Sequence, residues 1–403
     1  MIRTVFAAAL LATTAVAAAP AMAENHTIAG GEGAQERLQE ALILAEPGDT
    51  IILEAGRFAL TDGLSLDVDG VTIKGAGMSG ESESVLDFTN QQGAGEGLLI
   101  TSDNVTLRDF AVENAKGDGI KSKGADNIIY HGLRIEWTAG PKASNGAYGI
   151  YPVESSNVLV QESYVRGASD AGIYVGQSEN IIVRRNRVVE NVAGIEIENS
   201  NFAEVTENLT TRNTGGILVF DLPGLPKVGG GSVLVARNAV IDNNTDNFAP
   251  EGNIVASVPS GTGIMVMANT NVQLRENALI NNSTSHVMLI AYTQDYKDER
   301  YQPRPVDVVV SGNMFGSGGN APDIPGGEML AAAFGGALPG ILSDGLHQGL
   351  AVEDAEPVVS FGLTRVGQSM AEAKPQMLQP VIAGEVERLP TVTLPEGMEA
   401  RLK

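Results

Sequence analysis

A short pattern repeats along the middle of the chain, and this repeat limits the possible folds more than any other feature. In each unit an Asn opens a run of alternating apolar residues, a second short apolar run follows, and a Gly-Ile pair opens a third. The pairs are Gly119-Ile120, Gly149-Ile150, Gly172-Ile173, Gly194-Ile195, Gly216-Ile217 and Gly263-Ile264. Their usual step is 22 or 23 residues and is longer where loops intervene. A period of this size, built from short strands and turns, predicts a solenoid.

Asparagines recur at fixed places in the unit. One column is Asn104, Asn127, Asn157, Asn180 and Asn271; a second is Asn186, Asn208, Asn238, Asn277 and Asn313; a third is Asn191, Asn213, Asn243 and Asn282. Stacked coils bring equivalent residues ~4.8 Å apart, so these amides can bond along the axis as ladders. The leucine consensus and helical return of leucine-rich repeats are absent. The sequence therefore predicts an all-β fold, a single-stranded right-handed parallel β-helix of roughly ten to twelve coils between Thr50 and Phe315.

The ends of the chain differ from the repeat. Residues 1–23 form an expected signal peptide, with Arg3 before an apolar stretch and Ala21-Met22-Ala23 as the cleavage site. Residues 24–315 are the expected β-helix, with a cap helix at about 33–45. Residues 316–403 lose the pattern and are expected to form an irregular C-terminal cap and an extended tail along the solenoid's flank.

Composition bounds the location and the partners. The formal net charge of −23 makes a nucleic-acid partner unfavourable, because the phosphate backbone would be repelled. After the leader no run approaches the ~18 apolar residues of a membrane span. The chain has no cysteine and therefore no disulfide. We expect a periplasmic or secreted protein that is a monomer.

The third run of each unit predicts a continuous outer face. Because Ile of each Gly-Ile pair points inward, the residues one and three positions beyond it point outward. The first outward column is Lys121, Tyr151, Tyr174, Glu196, Leu218, Met265 and Met288; the second is Lys123, Val153, Gly176, Glu198, Phe220, Met267 and Ile290. This face changes from basic through aromatic and acidic to apolar.

The polar end of the face suits a sugar chain lying along the axis. Tyr151 and Tyr174 would stack on pyranose faces, and Lys121 and Lys123 would meet carboxylates. The weak catalytic candidates are Glu196 and Glu198, as acid and base or cation ligands, together with Lys121 and Lys123. The alternative is a solvated face in which Lys and Glu charges balance.

The apolar end is too large to remain bare on a soluble monomer. The residues concerned, which are also the candidate partner-binding residues, are Leu218, Phe220, Met265, Met267 and Met288. The segment Met329–Leu342, long loops or a partner protein would cover them. The long loops are insertions at Asp221–Gly231, Asn243–Thr262 and Tyr292–Pro305.

The second insertion also contains a candidate calcium site. Asp242, Asn244 and Asp246 are spaced like the first ligands of an oxygen-rich Ca²⁺ loop. Asn247 and Asn253 stand where such a loop has its Gly and closing Glu. Ca²⁺ is therefore the cofactor that this sequence allows, but these residues alone do not establish a metal site.

Three stretches resemble known families. The segment PGDTIILEAGRF, 47–58, resembles the opening of secreted β-helix proteins of the pectate-lyase-like superfamily, which includes alginate lyases. The stretch YGIYPVE, 148–154, resembles the Tyr-Gly-(Phe/Ile)-Asp-Pro-His-(Asp/Glu) signature of mannuronan C5-epimerases. Here Tyr151 and Val153 replace the Asp and His of that signature, so epimerase activity is not expected. Residues 117–292 are similar to an uncharacterised family of exported bacterial parallel β-helix proteins, which lends no reaction.

Two functions remain open from the sequence. In the first, the protein binds a polysaccharide through the polar end of the face, with or without processing it. Alternatively it is a non-catalytic extracytoplasmic scaffold that docks an exported partner protein through the apolar end. A sugar site requires the polar end to be open, whereas a scaffold requires the apolar end to be open.

Overall fold

The computed structural model describes residues 23–93, 95–354, 356–378 and 386–403. The expected signal peptide, apart from Ala23, lies outside these residues. Within them, no helix has the length and apolar character required to cross a membrane.

Short strands make up most of the regular secondary structure in the described chain. In chain order they are β1 Asn25–Ile28, β2 Thr50–Leu53, β3 Gly56–Ala59, β4 Leu64–Leu66, β5 Thr72–Lys74, β6 Ser84–Asp87, β7 Leu98–Ile100, β8 Thr106–Arg108, β9 Ala111–Glu113, β10 Ile120–Lys123, β11 Ile128–His131, β12 Arg134–Glu136, β13 Tyr148–Val153, β14 Ser156–Gln161, β15 Tyr164–Arg166, β16 Ala171–Gly176, β17 Glu179–Arg184, β18 Arg187–Val189, β19 Ala193–Glu198, β20 Asn201–Thr206, β21 Leu209–Thr211, β22 Gly215–Phe220, β23 Gly231–Ala236, β24 Ala239–Ile241, β25 Thr262–Met267, β26 Thr270–Arg275, β27 Ala278–Ile280, β28 Ser285–Ile290, β29 Val306–Ser311, β30 Met314–Phe315, β31 Ile341–Ser343, β32 Ala351–Val352, β33 Val358–Ser360 and β34 Gln376–Leu378. The helices are α1 Ala34–Leu44 and α2 Gly327–Ala333, with 3-10 turns at Ile254–Ser257, Met370–Glu372 and Glu399–Leu402.

Three sheets run the length of the molecule, and each coil contributes one strand to each. Sheet 1 is β1, β2, β5, β8, β11, β14, β17, β20, β23, β26, β29 and β32; sheet 2 is β3, β6, β9, β12, β15, β18, β21, β24, β27 and β30; sheet 3 is β4, β7, β10, β13, β16, β19, β22, β25, β28, β31, β33 and β34. Neighbouring strands are parallel, except that β34 is antiparallel to β33. The ten strands of sheet 2 correspond to ten coils, so the predicted parallel β-helix is confirmed.

The core fills the space enclosed by the three sheets. The Ile residues of the Gly-Ile pairs lie opposite one another in sheet 3 and are fully buried. The preceding glycines occupy the inner corner of each coil. A Cβ on Gly149 would lie 2.3 Å from Val165 Cγ1 and 2.6 Å from the carbonyl oxygen of Gly172. The repeat therefore uses glycine here for the close approach of successive coils.

The predicted asparagine ladders are present in the turns. In the two buried columns, each Nδ2 donates to Oδ1 of the equivalent Asn in the next coil at 2.9–3.1 Å. The column that opens the sheet 1 strands forms a more exposed ladder, for example Asn157 Nδ2 to Asn127 Oδ1 at 2.8 Å. Residues of this column have φ near +57°, a left-handed conformation that Asn tolerates better than most residues.

The two ends are closed in different ways. Leu38 and Leu42 of α1 are buried over the first coil, as predicted for a helical cap. After Phe315 the hydrogen bonding continues, because β31 and β33 extend sheet 3 and β32 extends sheet 1. The last described segment, 386–403, is the C-terminal segment and lies along the outer face of sheet 1. Its Met398 packs against Ile129, Leu159 and Ile182.

Candidate functional site

The outer face of sheet 3 has the register that the sequence predicted. Lys121 lies opposite Tyr151, Tyr174 opposite Glu196, and Glu196 opposite Leu218. Leu218, Met265 and Met288 continue the same column. The second column, from Lys123 to Ile290, is likewise in register. Residues about two dozen positions apart are therefore neighbours on one surface.

This face also extends further toward the N-terminal cap than the Gly-Ile pattern indicated. Leu99 of β7 lies opposite Lys121, and Ser65 of β4 lies opposite Leu99. Ser65 is exposed and Leu99 is half-buried. The pairs Gly63-Leu64 and Gly97-Leu98 occupy the place of Gly-Ile in these coils. A search for Gly followed by any branched aliphatic residue would have found both strands.

The six predicted sugar contacts divide into two groups. Lys121, Lys123 and Tyr151 reach the surface, and the Lys123 side chain is 57% exposed. By contrast, Tyr174, Glu196 and Glu198 are buried, with 5%, 1% and 6% of their surface exposed. Contacts with a polymer on the surface are thus open to the first group only, because the side chains of the second group are covered.

The two lysines are paired with carboxylates of the protein itself. Lys121 Nζ lies 3.0 Å from Glu96 Oε1 and 3.6 Å from Asp118 Oδ2. It also lies 4.8 Å from the centre of the Tyr151 ring, which is a cation–π distance. Lys123 Nζ lies 3.8 Å from Glu154 Oε1. The lysines predicted to meet sugar carboxylates therefore already have anionic partners, and the part of the face around them is close to neutral.

A third tyrosine joins the predicted pair. The ring centroid of Tyr148 lies 4.5 Å from that of Tyr151 and 4.7 Å from that of Tyr174, and the latter two are 4.8 Å apart. Simple strand alternation would place Tyr148 on the inner side with Ile150. Because Gly149 and Ile150 both face the interior, the residue before them turns outward. This local departure from period two explains why sequence reasoning missed Tyr148.

Beneath the tyrosines lies a group of buried carboxyls. Burial raises the pKa of Asp170 and of Glu196, and their mutual repulsion adds to the effect in Glu196. Burial also raises the pKa of Glu198 to about 7, although a hydrogen bond from Tyr174 opposes the shift. Within the described chain, Asp170 Oδ1 and Glu196 Oε1 are buried without a hydrogen-bond partner. These carboxyls therefore bind their protons more tightly than exposed carboxyls do.

Asp170 and Asp118 belong to the same cluster of carboxyl side chains, and neither was predicted from the sequence. Asp170 Oδ2 accepts hydrogen bonds from Tyr148 Oη and from Asn253 Nδ2, each at 3.3 Å. Burial raises the pKa of Asp118 to about 6, with Lys121 opposing and Glu96 adding to the shift. Asp118 stands directly before Gly119, at the position that the inward glycine turns outward, whereas Asp170 stands two residues before Gly172, in the turn that precedes β16.

Comparison with known proteins agrees with this geometry. A family model described as right handed beta helix region matches residues 70–225. The chain has the fold of a right-handed parallel β-helix. The parallel β-helix that the sequence resemblances implied is therefore confirmed as the fold. No curated protein sequence matches the chain.

Solved structures with a similar fold include two alginate-related enzymes. The A-module of a mannuronan C-5 epimerase from Azotobacter vinelandii has a TM-score of 0.55 at 16% identity, covering 82% of this chain and 95% of that chain. An alginate lyase from Paenibacillus sp. has a TM-score of 0.49 at 17% identity, covering 74% of this chain and 97% of that chain. At these identities the likeness shows the fold alone.

The β-helix protein covers the apolar end of the face with its own chain. The five candidate partner-binding residues Leu218, Phe220, Met265, Met267 and Met288 are 0–7% exposed. They pack with Val255 and Val258 of the Asn243–Thr262 insertion and with Tyr301 of the Tyr292–Pro305 insertion. They also pack with Ala331 of α2 and with Leu338, which follows α2. Two insertions and the segment around α2 therefore cover the apolar end, as one of the alternatives from the sequence proposed, and in the described part of the chain these five residues do not form an exposed docking face.

The candidate calcium ligands are engaged in hydrogen bonds within the protein. Asp242 accepts from the Asn281 side chain, and Asn244 Oδ1 accepts from the Ser283 amide at 2.8 Å. The backbone oxygen of Asp246 accepts a hydrogen bond from the Thr214 hydroxyl at 3.4 Å. Across the described ranges, no group of three or more His, Cys, Asp or Glu side chains has the geometry to hold a metal ion.

Proposed function

We propose that this β-helix protein binds a neutral polysaccharide along the open strip of sheet 3. The open strip is the column Ser65, Leu99, Lys121 and Tyr151, with Lys123 beside it. Four adjacent strands span ~14 Å along the axis, because neighbouring strands are ~4.8 Å apart. A linear polymer lying parallel to the axis would cross all four strands.

One observation carries the proposal: Tyr151 is a half-buried ring on the open strip, held by three neighbouring side chains. Tyr148 and Tyr174 pack against it, and Lys121 lies over its face. A ring held in this way is pre-organised for stacking against the apolar face of a sugar and loses little conformational entropy on binding.

Charge favours a neutral polymer over a uronate. Each lysine of the strip already has a carboxylate partner, Glu96 and Asp118 for Lys121 and Glu154 for Lys123. The whole chain has a formal charge of −23. A polyanion would thus gain little from the lysines and be repelled by the remainder. The fold is shared with polysaccharide-acting enzymes, which supports a carbohydrate ligand in general.

The scaffold alternative has no comparable support. It requires an open apolar end, whereas Leu218, Phe220 and their neighbours are buried beneath the protein's own loops. The polar end is the open one. The proposed location is the periplasm or the medium, as the leader-like N-terminus suggests.

Isothermal titration with neutral and uronic-acid hexasaccharides tests the proposal. We expect a neutral hexasaccharide to bind and Tyr151→Ala to weaken its affinity at least tenfold, whereas Tyr151→Phe keeps the ring and binds normally. The matched control is Tyr164→Ala, which removes a partly exposed tyrosine from sheet 2. Equal affinity of the wild type and Tyr151→Ala, or binding by uronates alone, would refute the proposal.

A further inference from the structure

A cavity lies between the outer face of sheet 1 and the C-terminal segment, 386–403. Its volume is about 430 Å³, and its walls are Asn180, Phe202, Glu204, Ser232 and Asn271 on one side and 389–393 on the other. It belongs to sheet 1 and shares no residue with the open strip of sheet 3. Its size and its mixture of aromatic and polar walls are typical of a small-ligand site.

The backbone of Phe202 is unusual at this place. Phe202 has φ +56°, and the equivalent residues Asn180, Ser232 and Asn271 have φ +55°, +57° and +57°. This left-handed conformation suits Asn and is unfavourable for a bulky aromatic residue. The side chain is also 53% exposed, so burial does not compensate for the strain. A strained, exposed aromatic ring in a column of small polar residues points to a role other than stability.

Phe202 also interrupts the hydrogen-bonded ladder of its column. Asn180 Nδ2 donates to Asn157 Oδ1 at 3.2 Å on one side, and Asn271 Nδ2 donates to Ser232 Oγ at 3.1 Å on the other. Between them, the phenyl ring offers neither a donor nor an acceptor. The strands that carry Asn180 and Ser232 each lie ~5 Å from the strand of Phe202. The amide oxygen of Asn180 and the hydroxyl of Ser232 therefore lie on either side of the ring, which cannot bond to them.

The C-terminal segment forms the outer wall. The Val392 amide donates to Glu204 Oε1 at 2.8 Å and holds the wall in place. Thr391 and Thr393 lie at the mouth and are exposed. Glu204 is the one charged residue among those lining the cavity in the described chain. This arrangement opposes anionic ligands and offers a flat apolar surface surrounded by uncharged polar groups.

We propose that this cavity binds a neutral sugar ring. The apolar face of a pyranose would lie on Phe202, and its rim hydroxyls would donate to Asn180 Oδ1 and accept from Ser232 Oγ. A pyranose combines one apolar face with a rim of donors and acceptors, which matches the aromatic ring and the uncharged polar groups of this cavity. The site is independent of the open strip and does not rest on the function proposed for sheet 3.

Phe202→Asn separates binding from folding. The substitution restores the consensus residue of the column, relieves the left-handed strain and rebuilds the ladder between Asn180 and Ser232. We expect an unchanged or higher melting temperature. A purely structural Phe202 would instead give a lower melting temperature on substitution.

The test is saturation-transfer NMR and titration with neutral hexaoses of glucose and mannose, with hexagalacturonate as the charged comparator. We expect at least one neutral hexaose to bind the wild type and Phe202→Asn to weaken this site at least tenfold. Phe202→Tyr should keep the affinity, and Tyr151→Ala should leave this site unchanged. Failure of every neutral hexaose to bind, equal binding by Phe202→Asn, or stronger binding of hexagalacturonate would overturn the proposal. If Tyr151→Ala alone abolishes all binding, this site is absent while the open strip is retained.

Discussion

Glu198 shows how burial and neighbouring carboxyls determine the behaviour of a single residue. Its pKa is raised to about 7, first because burial penalises the charged form and then because Asp170 and Asp221 add repulsion. Such a carboxyl binds its proton more tightly in the folded than in the unfolded protein. Its effect on stability is therefore neutral below about pH 4 and becomes unfavourable as the pH rises toward 7.

Glu198→Gln should raise stability at alkaline pH. Glutamine keeps the shape and a hydrogen-bond acceptor for Tyr174 without the buried charge, so we expect a gain of ~1–3 kcal/mol at pH 8 and little change at pH 4.5. Thermal denaturation at the two pH values measures the difference. Glu251→Gln is the control, because Glu251 is exposed in a loop. A gain that is equal at both pH values would contradict the assignment.

Residue patterns in the sequence were sufficient for the ladders and the outward columns, because both follow from the repeat. They were insufficient for Tyr148 and Asp118, because the inward glycine changes the alternation locally, and for Asp170, because it lies in the turn before β16 and outside the alternating strand. Burial of Tyr174 and Glu196 was also missed. It depends on irregular insertions, whose course no periodicity encodes.

At the scale of the element, the buried asparagine ladders connect one coil to the next. Asn208 Nδ2 donates to Asn238 Oδ1 and to the Val183 carbonyl, and its Oδ1 accepts from the Asn186 amide at 2.9 Å. Every polar atom of its side chain is thus satisfied in a buried turn. Loss of one member leaves donors and acceptors of two other coils unpaired.

Asn208→Ala should therefore be strongly destabilising. We expect a loss of ~2–4 kcal/mol in the free energy of unfolding, because buried groups of Asn186 and Val183 lose their partners. Chemical denaturation measures it, and Asn90→Ala, in an exposed turn, is the matched control with an expected change near zero. A loss below ~1 kcal/mol for Asn208→Ala would show that the ladder contributes little.

At the scale of the whole molecule, the C-terminal segment spans most of the solenoid. It contacts Arg275 through the Val386 carbonyl at 2.9 Å and Arg108 through the Leu402 carbonyl at 2.6 Å. Met398, 4% exposed, provides its apolar anchor on sheet 1. The segment thus protects an apolar part of sheet 1 and forms one wall of the Phe202 cavity.

Met398→Asp should detach this segment without unfolding the coils. A buried charge against Ile129, Leu159 and Ile182 is unfavourable, so we expect the amide of Val392 to exchange at least tenfold faster while core amides of sheet 3 keep their protection. Hydrogen exchange by mass spectrometry measures both. Met329→Asp is the control, because Met329 is 78% exposed. Unchanged protection of 386–402 in Met398→Asp would contradict this anchoring.

The open strip of sheet 3 is the surface on which the proposed function depends. A crystal structure of the protein with a bound neutral hexasaccharide tests it most directly. We expect sugar rings lying along the axis, with one stacked on Tyr151 and others crossing Leu99 and Ser65. A ligand bound to another face and absent from the open strip would contradict the account.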